Sequence, residues 1–140
     1  MSLEHKNWYE KIPGKKFVHP IPTNPSEIFG FCNFAQFYYD IVTKIPNNST
    51  VVEIGTSAGC STAWMAEFIA RSGKTINFYS IDPLPDTTGE ESFGIYSQDF
   101  DVPMYQLFIR NLKSLNLLKY VNHLRMKSTE ASTLFADESV

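Results

Sequence analysis

No stretch of this chain is apolar for the roughly 20 residues that a membrane-spanning helix needs, and the N-terminus lacks the apolar core of a secretory signal. Both absences point to a soluble chain in the cytoplasm with no membrane partner. Cysteine is scarce. Cys32 and Cys60 stand in no metal or redox spacing and read as separate buried thiols in a reducing compartment. Histidine is limited to His5, His19 and His123, none in a pattern that supports catalysis or metal binding, so neither a catalytic residue nor a metal ligand is assigned. Basic charge is also in deficit: 12 Lys and Arg against 15 Asp and Glu give a net charge of −3, which argues against capture of nucleic acid by simple electrostatics. No internal repeat or low-complexity tract is present.

What remains is the material of one modest globular domain: 140 residues, 43% hydrophobic and 14% aromatic. Residues 1–25 read as an extended arm, held open by Pro13, Pro20, Pro22 and Pro25, with Trp8, Tyr9 and Phe17 packing onto the body. Lys11, Lys15 and Lys16 beside those rings would suit a stacking surface, but Glu4 and Glu10 dilute it. The remainder, 26–140, reads as an α/β domain. Asn24, Pro25 and Glu27 look like an N-cap, a first-turn proline and a capping-box partner. Apolar residues at Phe34, Phe37, Tyr38, Ile41 and Ile45 predict a helix over 34–45, and Met104, Phe108, Leu112 and Leu115 predict another over 104–118. Strands are expected at 50–54, 75–81 and 121–127. Between the second strand and the second of these helices, 83–103 carries Asp86, Glu90, Glu91, Asp99 and Asp101 and no basic residue. It reads as a solvated loop, or as a lid that buries Phe93, Tyr96 and Phe100.

The most informative segment is Glu53-Ile54-Gly55-Thr56-Ser57-Ala58-Gly59-Cys60-Ser61, where a strand runs through two glycines into a helix that continues to Ser72 and stops at Gly73. Glycine lets such a turn adopt positive φ and lets a ligand approach the main chain. The helix start aims free N–H groups at the same place, which suits a carboxylate or a phosphate. Asp82, at the end of the next strand, is placed to accept ribose hydroxyls. Counted from Gly55, a nicotinamide or flavin fingerprint needs further glycines where Ser57 and Cys60 stand, so the spacing here is a different one.

With Glu53 on the strand and Gly55-x-x-x-Gly59-x-Ser61 after it, the segment resembles motif I of the class I S-adenosylmethionine-dependent methyltransferases, of the small O-methyltransferase type. The likeness runs from about Phe31 to Ala136. It implies a Rossmann-like methyltransferase fold, a parallel sheet with flanking helices, broken off after the third strand. It also implies S-adenosylmethionine as cofactor, with Gly55, Ser57 and Gly59 bending around it. Glu53 would support the loop and the methionine amino end, Ser61 would bind the methionine carboxylate and Asp82 the ribose. Ser128 and Thr129 would sit by the adenine, although as residues they read first as helix caps. The implied reaction transfers a methyl group to a small-molecule acceptor, most simply through oxygen.

A fold of this class ordinarily needs more than roughly 200 residues, so the chain reads as a cofactor-binding half with little turnover of its own. Strand order 3-2-1 would leave 50–54 as an unpaired edge, from which a homo-oligomer is expected. Two further readings stay open: an inactive cofactor-binding or interaction module, and a nicotinamide-binding Rossmann domain.

Overall fold

The computed structural model describes residues 16–30, 32–86 and 99–140. Its centre is a sheet of three parallel strands, β2 (Thr50–Ile54), β3 (Asn77–Ile81) and β5 (Asn122–Leu124), in the order β2-β3-β5. Val51 lies opposite Phe78, Glu53 opposite Ser80, and Ile81 opposite both Ile54 and Leu124. Parallel neighbours need a crossover. Helix α2 (Cys60–Ser72) supplies the first, and α3 (Met104–Ser114) lies in the second. A separate two-residue parallel pair joins β1 (Lys16–Phe17) to β4 (Asp99–Phe100). This is the Rossmann-like α/β arrangement expected, with β2 at the sheet edge.

Strand alternation decides what the sheet covers. Phe78 and Ser80 point to one side and are fully buried, and the helices pack there. Phe78 joins Val42 of α1 (Ala35–Lys44) and Met65 and Ile69 of α2 in one apolar cluster. A second cluster joins Ala63 and Ala66 of α2 to Leu107, Phe108 and Leu112 of α3 and to Ile28 and Phe29. Helix α2 therefore serves both clusters, which explains its alanines: small side chains let neighbours on two sides approach. On the opposite face Tyr79 meets Phe135 edge to face at 5.2 Å, while Ile54 is 68% exposed.

Polar groups tie the ends of these elements. Lys74 Nζ donates to the carbonyls of Val42 (2.6 Å), Thr43 (2.9 Å) and Ile45 (2.7 Å), closing the C-terminal end of α1, where a cation also suits the helix dipole. His19, 1% exposed, accepts the Phe29 N–H at Nε2 (2.7 Å), and its Nδ1 lies 2.7 Å from Pro20 O. Arg110 Nη2 donates to His19 O at 2.8 Å, so this segment is pinned to α3.

Several boundaries differ from expectation. Residues 25–27 form a single 3-10 turn, with Asn24 Oδ1 accepting from Ser26 N (3.0 Å), while Glu27 caps Thr23 N (2.7 Å). Helix α3 stops at Ser114 because Asn116 takes φ 57° and Leu117 N–H turns back to Leu112 O (2.9 Å). A 3-10 turn, Leu118–Tyr120, follows. The second strand starts at Asn77 since Thr75 is held by the turn before β2, its N–H donating to Asn47 Oδ1 (2.6 Å). The third narrows to three residues. The reading of Cys32 and Cys60 as separate thiols is corrected: they are joined as a disulfide, with Cα atoms 6.0 Å apart, a separation a disulfide ordinarily spans. Their sequence spacing carries no sign of this because the fold, not the chain, brings 32 beside the start of α2. Most of the acidic stretch, 87–98 with Glu90, Glu91, Phe93 and Tyr96, lies outside the described residues.

Burial holds His19 and His123 below the ordinary histidine pKa of 6.5. The unfolded chain then binds more protons than the folded one, so their contribution to stability is present above pH 6.5 and is lost as pH falls below it through the lowered folded values. Glu53, raised by burial, works in the opposite sense, so the difference between variant and wild type isolates the histidines. The urea midpoint of wild type relative to a His19→Gln, His123→Gln variant is expected to decline from about pH 7.5 to about 5.5. Parallel pH profiles for the two proteins would show that neither histidine is kept neutral by the fold.

Candidate functional site

Gly55 and Gly59 both take left-handed backbone, with φ +83° and +94°. They do different jobs. A Cβ on Gly59 would lie 3.0 Å from Phe108 Cδ2, so this glycine lets α3 pack against the loop. A Cβ on Gly55 would meet nothing within 4 Å, so its backbone faces open space. Ser57 also has positive φ, 49°, and its Oγ lies 3.9 Å from Met104 Sδ. Asn111 Nδ2 donates to Ala58 O at 3.0 Å, fixing the loop to α3 from behind.

Two carboxylates hold the loop. Glu53, on β2, accepts from Ser61 Oγ and, at 2.5 Å, from Thr62 Oγ1, both on the first turn of α2. Burial pushes the Glu53 carboxyl above the ordinary carboxylate range; the two hydroxyls pull it back, and the charge of Asp82 adds to the rise. Tyr38 of α1 is raised by burial and then by the same Glu53 charge. Asp82, just past β3, turns its carboxylate to the loop. Oδ2 accepts from Thr56 N (2.8 Å) and Ser57 N (3.2 Å), and Oδ1 from Leu84 N (3.1 Å).

The first intrahelical bond of α2 runs from Ala63 N to Gly59 O at 2.8 Å, which leaves the amides of residues 60–62 as the donors of a helix start. Thr56 is 3% exposed, and its Oγ1 has no hydrogen-bond partner among the described residues. Open backbone at Gly55, helix-start amides and an unsatisfied hydroxyl fit a small polar ligand with an anionic end.

Of the residues singled out from the sequence, Glu53, Gly55, Ser57, Gly59, Ser61 and Asp82 are brought together here. Ser61 spends its hydrogen on Glu53, so in this arrangement a ligand carboxylate would meet backbone N–H groups. Ser128 and Thr129 are exposed at the start of the short helix α4 (Ser128–Ala131), on the far side of β3 from β2. Among the described residues no hydrogen bond links their side chains to the loop. The residue that caps α4 is Lys127, whose N–H reaches Glu130 Oε2 at 3.3 Å. Sequence reading missed Thr62, Thr56 and Met104. Thr62 carried a signal, a second hydroxyl one residue after Ser61 on a helix start; Met104 carried none, because its contact depends on how α3 packs.

No protein-family model matches the chain, and no curated protein matches it. Among solved structures it is similar to one described as a putative rRNA methylase from Clostridium thermocellum, with 14% identity and a TM-score of 0.44, covering 77% of this chain and 48% of that one. The chain therefore spans about half the length of that structure. The partner expectation is corrected here. A small-molecule acceptor with nucleic acid excluded does not stand beside a neighbour described as an rRNA methylase. The exclusion rests on whole-chain charge, a single sum that carries no information on where the charges lie. That expectation, its homo-oligomer included, is not carried forward. Among the described residues no helix is long and apolar enough to cross a membrane, and no group of three or more His, Cys, Asp or Glu could hold a metal ion.

Two predictions follow from this geometry. Gly55→Ala should cost about 1 kcal/mol in stability through positive φ alone, and Gly59→Ala about 2 to 3 kcal/mol because Phe108 must also move. Urea unfolding of the two variants checks the ranking, and equal costs would remove the Phe108 contact from the argument. Glu53→Gln should change stability by less than about 1 kcal/mol, since an amide can still bond both hydroxyls, whereas Glu53→Leu should cost about 2 to 3 kcal/mol by leaving Ser61 and Thr62 unpaired. Calorimetric unfolding at neutral pH compares them.

Proposed function

We propose that the chain is the cofactor-binding part of an S-adenosylmethionine-dependent methyltransferase, with the cofactor at the 55–59 loop. The observation that carries this reading is the open, left-handed Gly55 backbone between two fixed carboxylates, Glu53 below and Asp82 beside it. Bound there, S-adenosylmethionine would supply a methyl group on a sulfonium, open to displacement by a nucleophile. The chain's own residues account for holding it. The amides of residues 60–62 offer donors for the amino-acid carboxylate, Gly55 admits close approach, and Asp82 stands where a ribose would lie. For Asp82 to accept ribose hydroxyls it must share the oxygens that now receive Thr56, Ser57 and Leu84. A carboxylate has about four lone-pair sites for three such bonds, so one further donor can be accommodated without dismantling the loop.

Against a nicotinamide cofactor stands the glycine spacing: Ser57 and Cys60 occupy the positions where that fingerprint needs glycine. Cys60 is buried and joined to Cys32, so the chain there is held against the core and not laid open to a pyrophosphate.

Isothermal titration should show S-adenosylmethionine or S-adenosylhomocysteine binding and NAD not binding. Asp82→Ala should weaken that binding by about 1 to 3 kcal/mol, while Ser128→Ala tests whether α4 contributes at all. Preferential binding of NAD would overturn the reading, and unchanged affinity in folded Asp82→Ala would remove Asp82 from the site.

A further inference from the structure

The charge of this chain is unevenly placed. Between Val102 and Thr129 stand Arg110, Lys113, Lys119, Arg125 and Lys127 with no Asp or Glu, in a chain whose net charge is −3. The fold gathers this stretch into α3, the 3-10 turn that follows and β5, and Lys113, Lys119 and Lys127 are exposed. Along the outer side of α3, between that helix and the pinned segment before Ile28, runs a groove of about 820 Å³. Its walls combine Ile21, Ile109 and Leu118 with Tyr105, Arg110 and Lys113, and among the described residues no carboxylate lines it.

Arg125 lies against Tyr105, one of the lining residues. The Arg125 guanidinium carbon lies 4.0 Å from the Tyr105 ring centroid, and its nitrogens donate to Leu84 O at 2.8 and 3.0 Å, which fixes it in place. Asp86, 2.8 Å from Arg125, answers one of the five charges; Lys113 and Lys119 have no ion pair among the described residues.

We propose that the α3 groove binds single-stranded nucleic acid. Lys113 and Arg110 set against an apolar and aromatic floor, with the exposed Lys119 next in sequence to Leu118, suit a ligand that joins phosphates to flat bases, the usual combination in single-strand recognition. An acidic peptide would answer the lysines but would leave the Tyr105, Ile109 and Leu118 floor without a matching surface. This inference goes beyond the methyl-transfer reading and does not require it, since binding is measured without S-adenosylmethionine.

The test is fluorescence anisotropy with a labelled oligouridylate and the full 140-residue chain, in a salt series starting near 50 mM. Wild type should bind saturably. Lys113→Glu with Lys119→Glu should weaken binding at least about tenfold and make the log-log salt slope shallower by about 1.4, two phosphates at roughly 0.7 each. Lys44→Glu, a charge reversal at the end of α1, should leave affinity within about twofold. The milder Lys113→Gln, Lys119→Gln pair gives the same direction if the reversal pair does not fold, and near-native melting of either pair confirms that the loss is local. No saturable binding by wild type would overturn the proposal. So would equal weakening by Lys44→Glu, or polyglutamate competing as well as unlabelled RNA, which would make the groove a site for acidic polypeptide.

Discussion

Asp82 is the point through which the candidate site is held together. Its carboxylate receives amides from Thr56 and Ser57 on the loop after β2 and from Leu84 on the chain leaving β3, so one side chain joins the C-terminal ends of two adjacent strands. Each of these amides would otherwise be a donor with no strand partner, since the ladder ends at Ile54 and Ile81. Unpaired amides at that position would loosen the glycine turn. A bond to a charged acceptor is stronger than a neutral one, and three on one carboxylate fix its plane as well as its position.

Glu53 complements this from below. It sits in the strand, opposite the buried Ser80, and binds hydroxyls of two consecutive residues on α2. The helix start is thus located relative to β2 by side chains, while Gly59 allows α3 to close on it through Phe108. The cost of burying a carboxylate is visible in the upward push on Glu53. Residues in functional sites often tolerate such a cost because position outweighs stability there.

The helical side of the sheet carries a second polar arrangement, separate from the hydrogen bonds of the loop. Ser80 Oγ lies 2.8 Å from His123 Nδ1, and the ring packs 4.6 Å from Phe108. His123 Nε2 is buried with no hydrogen-bond partner among the described residues, which favours a neutral ring. Phe108 touches both this ring and the space beside Gly59, so α3 couples the packing of β5 to the shape of the loop. The same helix carries the cationic groove on its other side.

Local chemistry determined a large share of this in the sequence alone. Apolar runs of the right length placed β2 and β3, Gly73 ended α2, and the Gly55, Gly59 and Asp82 spacing located the loop, because helix stops, tight turns and alternation act over a few residues. Boundaries set by nonlocal bonds were not legible. Helix α3 ended a turn early through the φ of Asn116, and Ser128 and Thr129 gave up the cap to Lys127. Tertiary structure alone decided that Cys32 meets Cys60, that Ser61 answers Glu53, and that Asp82 turns onto Thr56 and Ser57. Each of these joins residues separated along the chain, and their meeting depends on the direction of strands and helices, which local sequence preferences do not carry.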